Sequence, residues 1–444
     1  MTTASALESR DAPAPSAGAA TAALSRRHLG VLLVILALAL ALRLVWGLVF
    51  GVNVGFGDVP EYMAGARRVL TGEPLAQHNW MMFVRAPGYS LFLAAIWKVV
   101  GHESVAAVRV VQALLGTGTC AAVFGLARAA GASHRSALFA TAMASVYPYL
   151  IYYTAPLGTE GPFAFFVATG SFFLVSGLGS GSPNFSRIAL GGLFLGAGNM
   201  MRPNMTTVLP CLALWFAYRY RSRIIVGVKA LVVLAAPIIA LALPWSFVVH
   251  DAGLGWVWVT DGGPVWYYMG HTDDAYEYLC GNPSEARRKE LLKFPGADRF
   301  PNRADYKYAA TLPLAERQPS YMRAARAWDK AHLGAQPCLA AMKFYDYWRP
   351  WVRLDAYPFK VFLMSLFSAP VLLLGLAGTV VAFRRGERTA SLYTWIIAAT
   401  GTVVAMVFST EIRYRIPMVD VLLLPFVGVA VDRLLASRGH RNLA

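Results

Sequence analysis

The chain has 444 residues, of which 57% are hydrophobic and only 14% charged. Soluble domains average about 25% charged residues, so a water-soluble enzyme, a disordered chain, a disulfide-dense secreted scaffold and a nucleic-acid-binding domain are all excluded. The formal net charge of +16 does not argue for a polyanion partner, because most Lys and Arg flank long apolar runs, where positive charge sets orientation. This is the pattern of a polytopic membrane protein.

Residues 1–28 read as a disordered cytoplasmic tail, rich in Ala, Ser, Thr and Pro without periodicity. Arg26, Arg27 and His28 precede the apolar run Leu29–Val52, whose only charge is Arg43. That run exceeds a signal-peptide core and shows no obvious cleavage site, so it is read as an uncleaved first span with its N-terminus inside. Basic clusters at 128–135, Arg187, 219–223 with Lys229, 384–388 and 433–441 mark the other inside loops. Parity then constrains everything between them.

Residues 53–103 become the first outer loop. Within it Gly88–Val100 would be about 20 Å long as a helix, short of the ~30 Å hydrocarbon core, and is read as interfacial or re-entrant. Spans two to four are Ser104–Ala127, Ala137–Pro156 and Pro162–Leu178. Two crossings are then required of Ile188–Tyr218, which makes a short helical hairpin turning at Met201-Arg202-Pro203-Asn204. Span seven, Ile224–Val249, closes an N-terminal membrane module, 29–249. A polar outer domain, 250–357, mixes turn signals (Asp261-Gly262-Gly263-Pro264) with helical periodicity at Tyr321–Ala331 and Pro337–Tyr347. Its aromatics, Trp256, Trp258, Trp266, Tyr267, Tyr268, Trp348 and Trp351, suit the headgroup region. The C-terminal module, 358–436, holds Pro358–Phe383, Ala390–Phe408 and Ile416–Leu435, and 437–444 form an inside tail. The expected fold is all-α and polytopic, with about ten transmembrane helices and a mixed outer-side domain between spans seven and eight.

Parity gathers charged residues on one side: Asp58, Glu61, Arg85, Glu160, Arg202, Glu411, Arg413 and Arg415. Charges near membrane depth usually face a bundle interior or a polar cavity. Asp58-Val59-Pro60-Glu61 fits a capping box for a helix through Tyr62–Leu70; it equally fits a general base in a partly desolvated cleft. Arg85-Ala86-Pro87-Gly88-Tyr89 reads as a bend entering a helix, its Arg either snorkelling to headgroups or holding an anion. Arg202 lies within an apolar run, and Arg413-Tyr414-Arg415 abuts a span on the outer side against the positive-inside bias, so phosphate contact is the functional reading.

No Walker loop, H-E-x-x-H motif or Cys/His zinc spacing is present. Cys120 and Cys211 fall inside spans, as small buried apolar residues. Cys280 and Cys338 share the outer domain and could bridge if that side is oxidising, a closure worth about 4 kcal/mol on the chain-entropy model.

In order, Gly57-Asp58…Glu61-Tyr62…Ala66, Arg85-Ala86-Pro87-Gly88-Tyr89, Tyr147-Pro148…Thr159-Glu160, Met201-Arg202-Pro203 after Gly191, Gly192 and Gly196, and Arg413-Tyr414-Arg415-Ile416-Pro417 resemble the GT-C integral-membrane glycosyltransferases. The bacterial relatives of dolichyl-phosphate-mannose protein mannosyltransferases and lipid A aminoarabinose transferases are most similar. The resemblance implies an inverting glycosyltransferase with a polyprenyl-phosphate-linked sugar donor. Its acceptor is a protein, lipid or polysaccharide on the outer face of the plasma (inner) membrane, and no nucleic acid is involved. The family's catalytic carboxylate maps onto Asp58, with Glu61 or Glu160 as the second acid and Arg85, Arg202, Arg413 and Arg415 on the donor phosphate. Some GT-C enzymes use a divalent cation and the nearest relatives need none; the sequence offers no dedicated ligand set. The competing class is a transporter or flippase of a polyprenyl-linked substrate, which should show inverted repeats and midplane charges.

Overall fold

The computed structural model describes residues 24–53, 58–73, 81–179, 182–281, 311–351 and 358–441, with a few residues between 283 and 309. Gly57, His78 and most of the N-terminal tail lie outside them. Helix α1, Arg26–Val45, starts where Ser25 accepts a hydrogen bond from the His28 amide and runs on through a π turn, Trp46–Phe50. It is followed by α2 (Val59–Thr71), α3 (Met81–Val84), α4 (Gly88–Val100) and α5 (Val105–Ala129). Next come α6 (His134–Val146), α7 (Pro148–Tyr152), α8 (Glu160–Gly177), α9 (Phe185–Met201), α10 (Asn204–Arg219) and α11 (Ile224–Val249). The stretch 250–357 holds α12 (Gly263–Met269), α13 (Asp273–Cys280), α14 (Leu314–Ala331) and α15 (Gln336–Trp348), so the described part of it is helical. The chain ends with α16 (Pro358–Arg384), α17 (Arg388–Val407), α18 (Ile412–Arg415) and α19 (Val421–Arg441).

Among the described residues five helices are long and apolar enough to cross a membrane by length and composition: Arg26–Phe50, Val105–Ala129, Ile224–Leu254, Phe362–Arg384 and Arg388–Val407. The other segments read as spans are helical too, the third of them in two pieces. The bundle turns Leu214, Ile225 and Leu373 outward at 74%, 81% and 70% exposure, as a lipid-facing surface requires. Inside, helices meet through small residues. A Cβ on Gly192 would stand 2.2 Å from the Leu234 carbonyl oxygen, and one on Gly378 would stand 2.0 Å from that of Phe426. Only glycine lets α9 approach α11, or α16 approach α19, that closely.

Contacts sort the helix ends into two poles. At one, His28 stacks on His134 at 5.3 Å, the Ser133 amide and hydroxyl donate to Asp432 at 2.6 and 2.8 Å, and Arg219 donates to the Leu178 carbonyl and to Thr389. The basic clusters lie at this pole. At the other lie the ends carrying Asp58, Arg85, Glu160, Arg202 and Arg413.

Span three differs from its expected form. Ala137–Pro156 is not one helix but α6 and α7, broken at Tyr147 (ψ 113°), because Pro148 has no amide hydrogen. The freed carbonyls of Ala144 and Ser145 accept from Arg43 at 3.2 and 3.1 Å, while its Nη1 also donates to the Ala39 carbonyl and its Nη2 to Cys120. Arg43, fully buried, therefore caps a broken helix rather than serving a ligand.

The stretch 250–357 is fastened to the second pole through α11 and α3. Trp245 and Ser246 of α11 donate to the Val259 and Val257 carbonyls, and Thr260 donates to those of Phe83 and Val84. A disulfide joins Cys280 to Cys338 across 58 residues, with Cα atoms 6.1 Å apart, tying α13 to α15.

Candidate active site

The site is assembled where α2, α3, α8, α9 and α18 end together. Gly88 makes this possible: a Cβ there would lie 2.4 Å from the Met200 carbonyl oxygen, so the start of α4 presses on the end of α9. Arg85, just before α4, and Arg202, just after α9, are thereby neighbours. Arg202 is extended (φ −147°, ψ 124°), as a residue before proline prefers, and this throws its side chain out of the helix.

Asp58 stands at the N-cap of α2 but in helical geometry and with no side-chain capping bond. The capping box read from the sequence is not made. Both carboxylates turn instead to Arg85, whose Nη2 donates to Asp58 Oδ1 at 2.9 Å and whose Nε donates to Glu61. Burial raises Glu61 above the ordinary carboxylate range, with Arg85 pulling it the other way. Arg202 donates to Thr159 Oγ1 at 2.6 Å and to Glu160, which is 2% exposed. Arg413 stands 3.5 Å from Asp58, 3.8 Å from Glu160 and in a close pair with Glu411.

Aromatic faces hold the guanidiniums in plane. Arg85 lies over Tyr62 and Trp266 at 5.6 and 5.7 Å, and Tyr414 is shared by Arg202 and Arg413 at 5.3 and 5.4 Å. Four carboxylates thus meet three guanidiniums, one negative charge in excess. Asp58 and the three guanidiniums line a cavity of about 350 Å³ together with Trp266 and Tyr347. Arg85 and Tyr62 also border a second, mostly apolar cavity of about 170 Å³, walled by Val69, Leu91, Trp245 and Val248. Leu91, at 42% exposed, and Val248, at 39%, carry it to the apolar surface.

Residues 84–247 match the family model described as dolichyl-phosphate-mannose-protein mannosyltransferase. Among solved structures the chain is similar to the Archaeoglobus fulgidus oligosaccharyltransferase in the apo form, with a TM-score of 0.56 and 12% identity over 94% of this chain and 52% of that one. The archaeal enzyme AglB in complex with an inhibitory peptide and a dolichol-phosphate gives a TM-score of 0.54 at the same identity and coverage. This is the GT-C fold. At 12% identity the likeness is one of architecture. The S. cerevisiae protein O-mannosyltransferase complex bound to its sugar donor overlaps 56% of this chain and 37% of its own, at 16% identity and a TM-score of 0.46. Among curated proteins none matches the sequence, and the chain spans about half the length of the archaeal structures it resembles.

On the GT-C scaffold the residues singled out in the sequence converge, with one exception. Arg415 is fully buried, bonded to Asp420 at 2.7 Å and to the Tyr347 and Arg349 carbonyls at 2.8 Å each. It faces away from the cavity that Arg413 lines, because two residues along a helix rotate a side chain by roughly 200°. The expectation of Arg415 on a phosphate is corrected accordingly. Among the described residues no group of three or more His, Cys, Asp and Glu is placed to hold a metal ion. Asp58, Glu61, Glu160 and Glu411 are each engaged by a guanidinium, a donor set that does not suit a divalent cation.

Sequence reasoning missed Thr159, Tyr414, Trp258, Trp266 and Tyr347 as lining residues. Thr159 and Tyr414 adjoin residues it did select; Trp258 and Trp266 were assigned to the headgroup region, and Tyr347 entered only as the end of the helical stretch Pro337–Tyr347. Trp256 is 66% exposed, but Trp258 and Trp266 line the cavity and Tyr268 is buried at 2% exposure.

Behind this wall Lys343 is 1% exposed, with Nζ 3.4 Å from His271 Nε2. Burial lowers Lys343 from 10.5 to about 8, and burial together with Lys343 lowers His271. A depressed lysine binds its proton more weakly in the folded chain, so stability rises with pH between about 8 and 10.5. The buried charge then costs about 3 kcal/mol at pH 7. Lys343→Met is expected to raise the Tm of the detergent-solubilised protein at pH 7, the gain shrinking towards pH 10. A gain independent of pH would show that packing, not charge, governs this position.

Proposed function

We propose that this chain is an inverting glycosyltransferase that moves a sugar from a polyprenyl-phosphate donor to an acceptor hydroxyl or amine on the outer face of the plasma membrane. The observation that carries the reading is the union of Asp58 with Arg85, Arg202 and Arg413 at one pole of the GT-C fold, on a cavity with an apolar neighbour. A phosphate needs cations, a prenyl chain needs apolar surface, and a transferred sugar needs a base close to both. The description of the family model that matches 84–247 supports the same donor class.

In this reading an Asp58 carboxylate oxygen takes the acceptor proton. The freed acceptor atom bonds to the anomeric carbon from the face opposite the phosphate. The bond from that carbon to the phosphate oxygen breaks, and its electron pair leaves with the phosphate. Arg413, Arg202 and Arg85 receive the charge that grows there, while Glu160 and Glu61 keep Arg202 and Arg85 in place. The prenyl chain lies along the groove of Val69, Leu91 and Val248. The basic pole, with Arg128, Arg219 and Arg385, faces the cytoplasm by the positive-inside bias, which leaves the acidic and guanidinium pole outside.

Proteoliposomes holding the full chain and undecaprenyl phosphates that carry single sugars test this. Release of free undecaprenyl phosphate, with the sugar recovered on an acceptor from envelope extracts in inverted configuration, is the expected result. Movement of the intact glycolipid between leaflets without cleavage would instead identify a flippase and end the transferase reading.

A further inference from the structure

Two neutral donors on the wall of the large cavity are buried and have no hydrogen-bond partner: the Tyr347 hydroxyl and the Trp258 indole N–H. Tyr347 is 1% exposed. Its oxygen lies against α17, where a Cβ on Gly401 would approach it to 2.4 Å. A buried hydroxyl without a partner destabilises the fold, and phenylalanine would fill the same space without that penalty. Both donors are rigidly mounted. The Tyr347 carbonyl is held by Arg415 at 2.8 Å, and the Trp258 carbonyl accepts from Ser246 at 2.9 Å.

The guanidiniums suffice for a phosphate and the apolar groove for a prenyl chain. Neutral N–H and O–H donors held ready beside them match a third chemistry, the hydroxyl oxygens of a sugar. We infer that Tyr347 and Trp258 form the subsite for the donor's sugar and select it by its hydroxyl pattern, an assignment that rests on the transferase reading above. Aromatic side chains with one polar edge are suited to this, since the ring faces cover the sugar's apolar face while the edge donates. Gly401 is part of the subsite because any larger residue would displace the hydroxyl of Tyr347.

The full chain in lipid nanodiscs, with no acceptor present, separates the alternatives. The probes are undecaprenyl phosphate alone and undecaprenyl phosphate carrying mannose, glucose, galactose or arabinose. Wild type should hold at least one glycolipid more tightly than the bare lipid. Tyr347→Phe should leave the bare lipid unchanged and weaken that preferred glycolipid about tenfold, with a Tm equal to or above that of wild type; Trp258→Phe should weaken it likewise. A lower Tm for Tyr347→Phe would mean that the hydroxyl serves the fold, and the subsite would be withdrawn. An unaltered preference in both variants, or a wild type that does not distinguish any glycolipid from the bare lipid, would also overturn it while leaving the transferase reading in place. Failure of wild type to bind even the bare lipid would overturn the transferase reading itself.

Discussion

Asp58→Asn is expected to lower the turnover of sugar transfer by about 10³-fold, within the range that a positioned general base contributes, without weakening retention of the lipid donor. The expectation follows from the charge arrangement. Asp58 is paired with Arg85 at 2.9 Å and more loosely with Arg413 at 3.5 Å. An arriving phosphate competes for Arg413, the looser partner, and in taking it leaves the Oδ2 of Asp58 open to the acceptor hydroxyl or amine. Donor binding and exposure of the base are thus one event. Asparagine keeps the shape and one acceptor oxygen but cannot take a proton. It also leaves Arg413 freer, so the donor KM should hold or fall while kcat collapses, the signature of an interaction needed only in the transition state. The side chain is 21% exposed, so the Tm should change little. Steady-state kinetics of the purified variant decide the matter: turnover within a factor of about three of wild type would remove Asp58 from the role of base. Glu61→Gln, which disturbs only the seat of Arg85, should cost far less, about tenfold.

The membrane helices were legible because length and charge are local quantities. Apolar runs and the basic clusters between them located the helix ends, and parity placed Asp58, Glu160, Arg202 and Arg413 together although 355 residues separate the first from the last. What failed was what depends on orientation. Asp58 and Glu61 at a spacing of three satisfy a capping box and a shared guanidinium equally well, and only the position of Arg85 decides. Arg413 and Arg415 look alike in a string of letters, yet a spacing of two in a helix sends them to opposite sides. Ala137–Pro156 reads as one span straight through Pro148, and the guanidinium that caps the break there comes from Arg43, on a helix more than a hundred residues earlier. Tyr347 carries no local mark at all. Its role arises from packing against Gly401, which composition and periodicity do not encode.

The buried pair beneath the site carries the largest expected effect on stability. Arg415 and Asp420 are both fully buried, and Tyr147 donates to Asp420 at 2.7 Å from the break between α6 and α7. Removing one partner strands the other's charge in an apolar interior, so Arg415→Met or Asp420→Leu alone should destabilise the protein by about 3–5 kcal/mol, read as a large fall in Tm. The double substitution should recover much of that loss, because no charge is then left without its counterion. Recovery should be incomplete, since the Tyr347 and Arg349 carbonyls lose the donor they share. The same series separates the structural role from a catalytic one. If Arg415 touched the donor phosphate, the double variant would regain its Tm yet still fail to retain undecaprenyl phosphate. With Arg415 turned away from the cavity, the double variant should hold that lipid within about threefold of wild type, because Arg413, Arg202 and Arg85 keep their charges and none of their partners has changed.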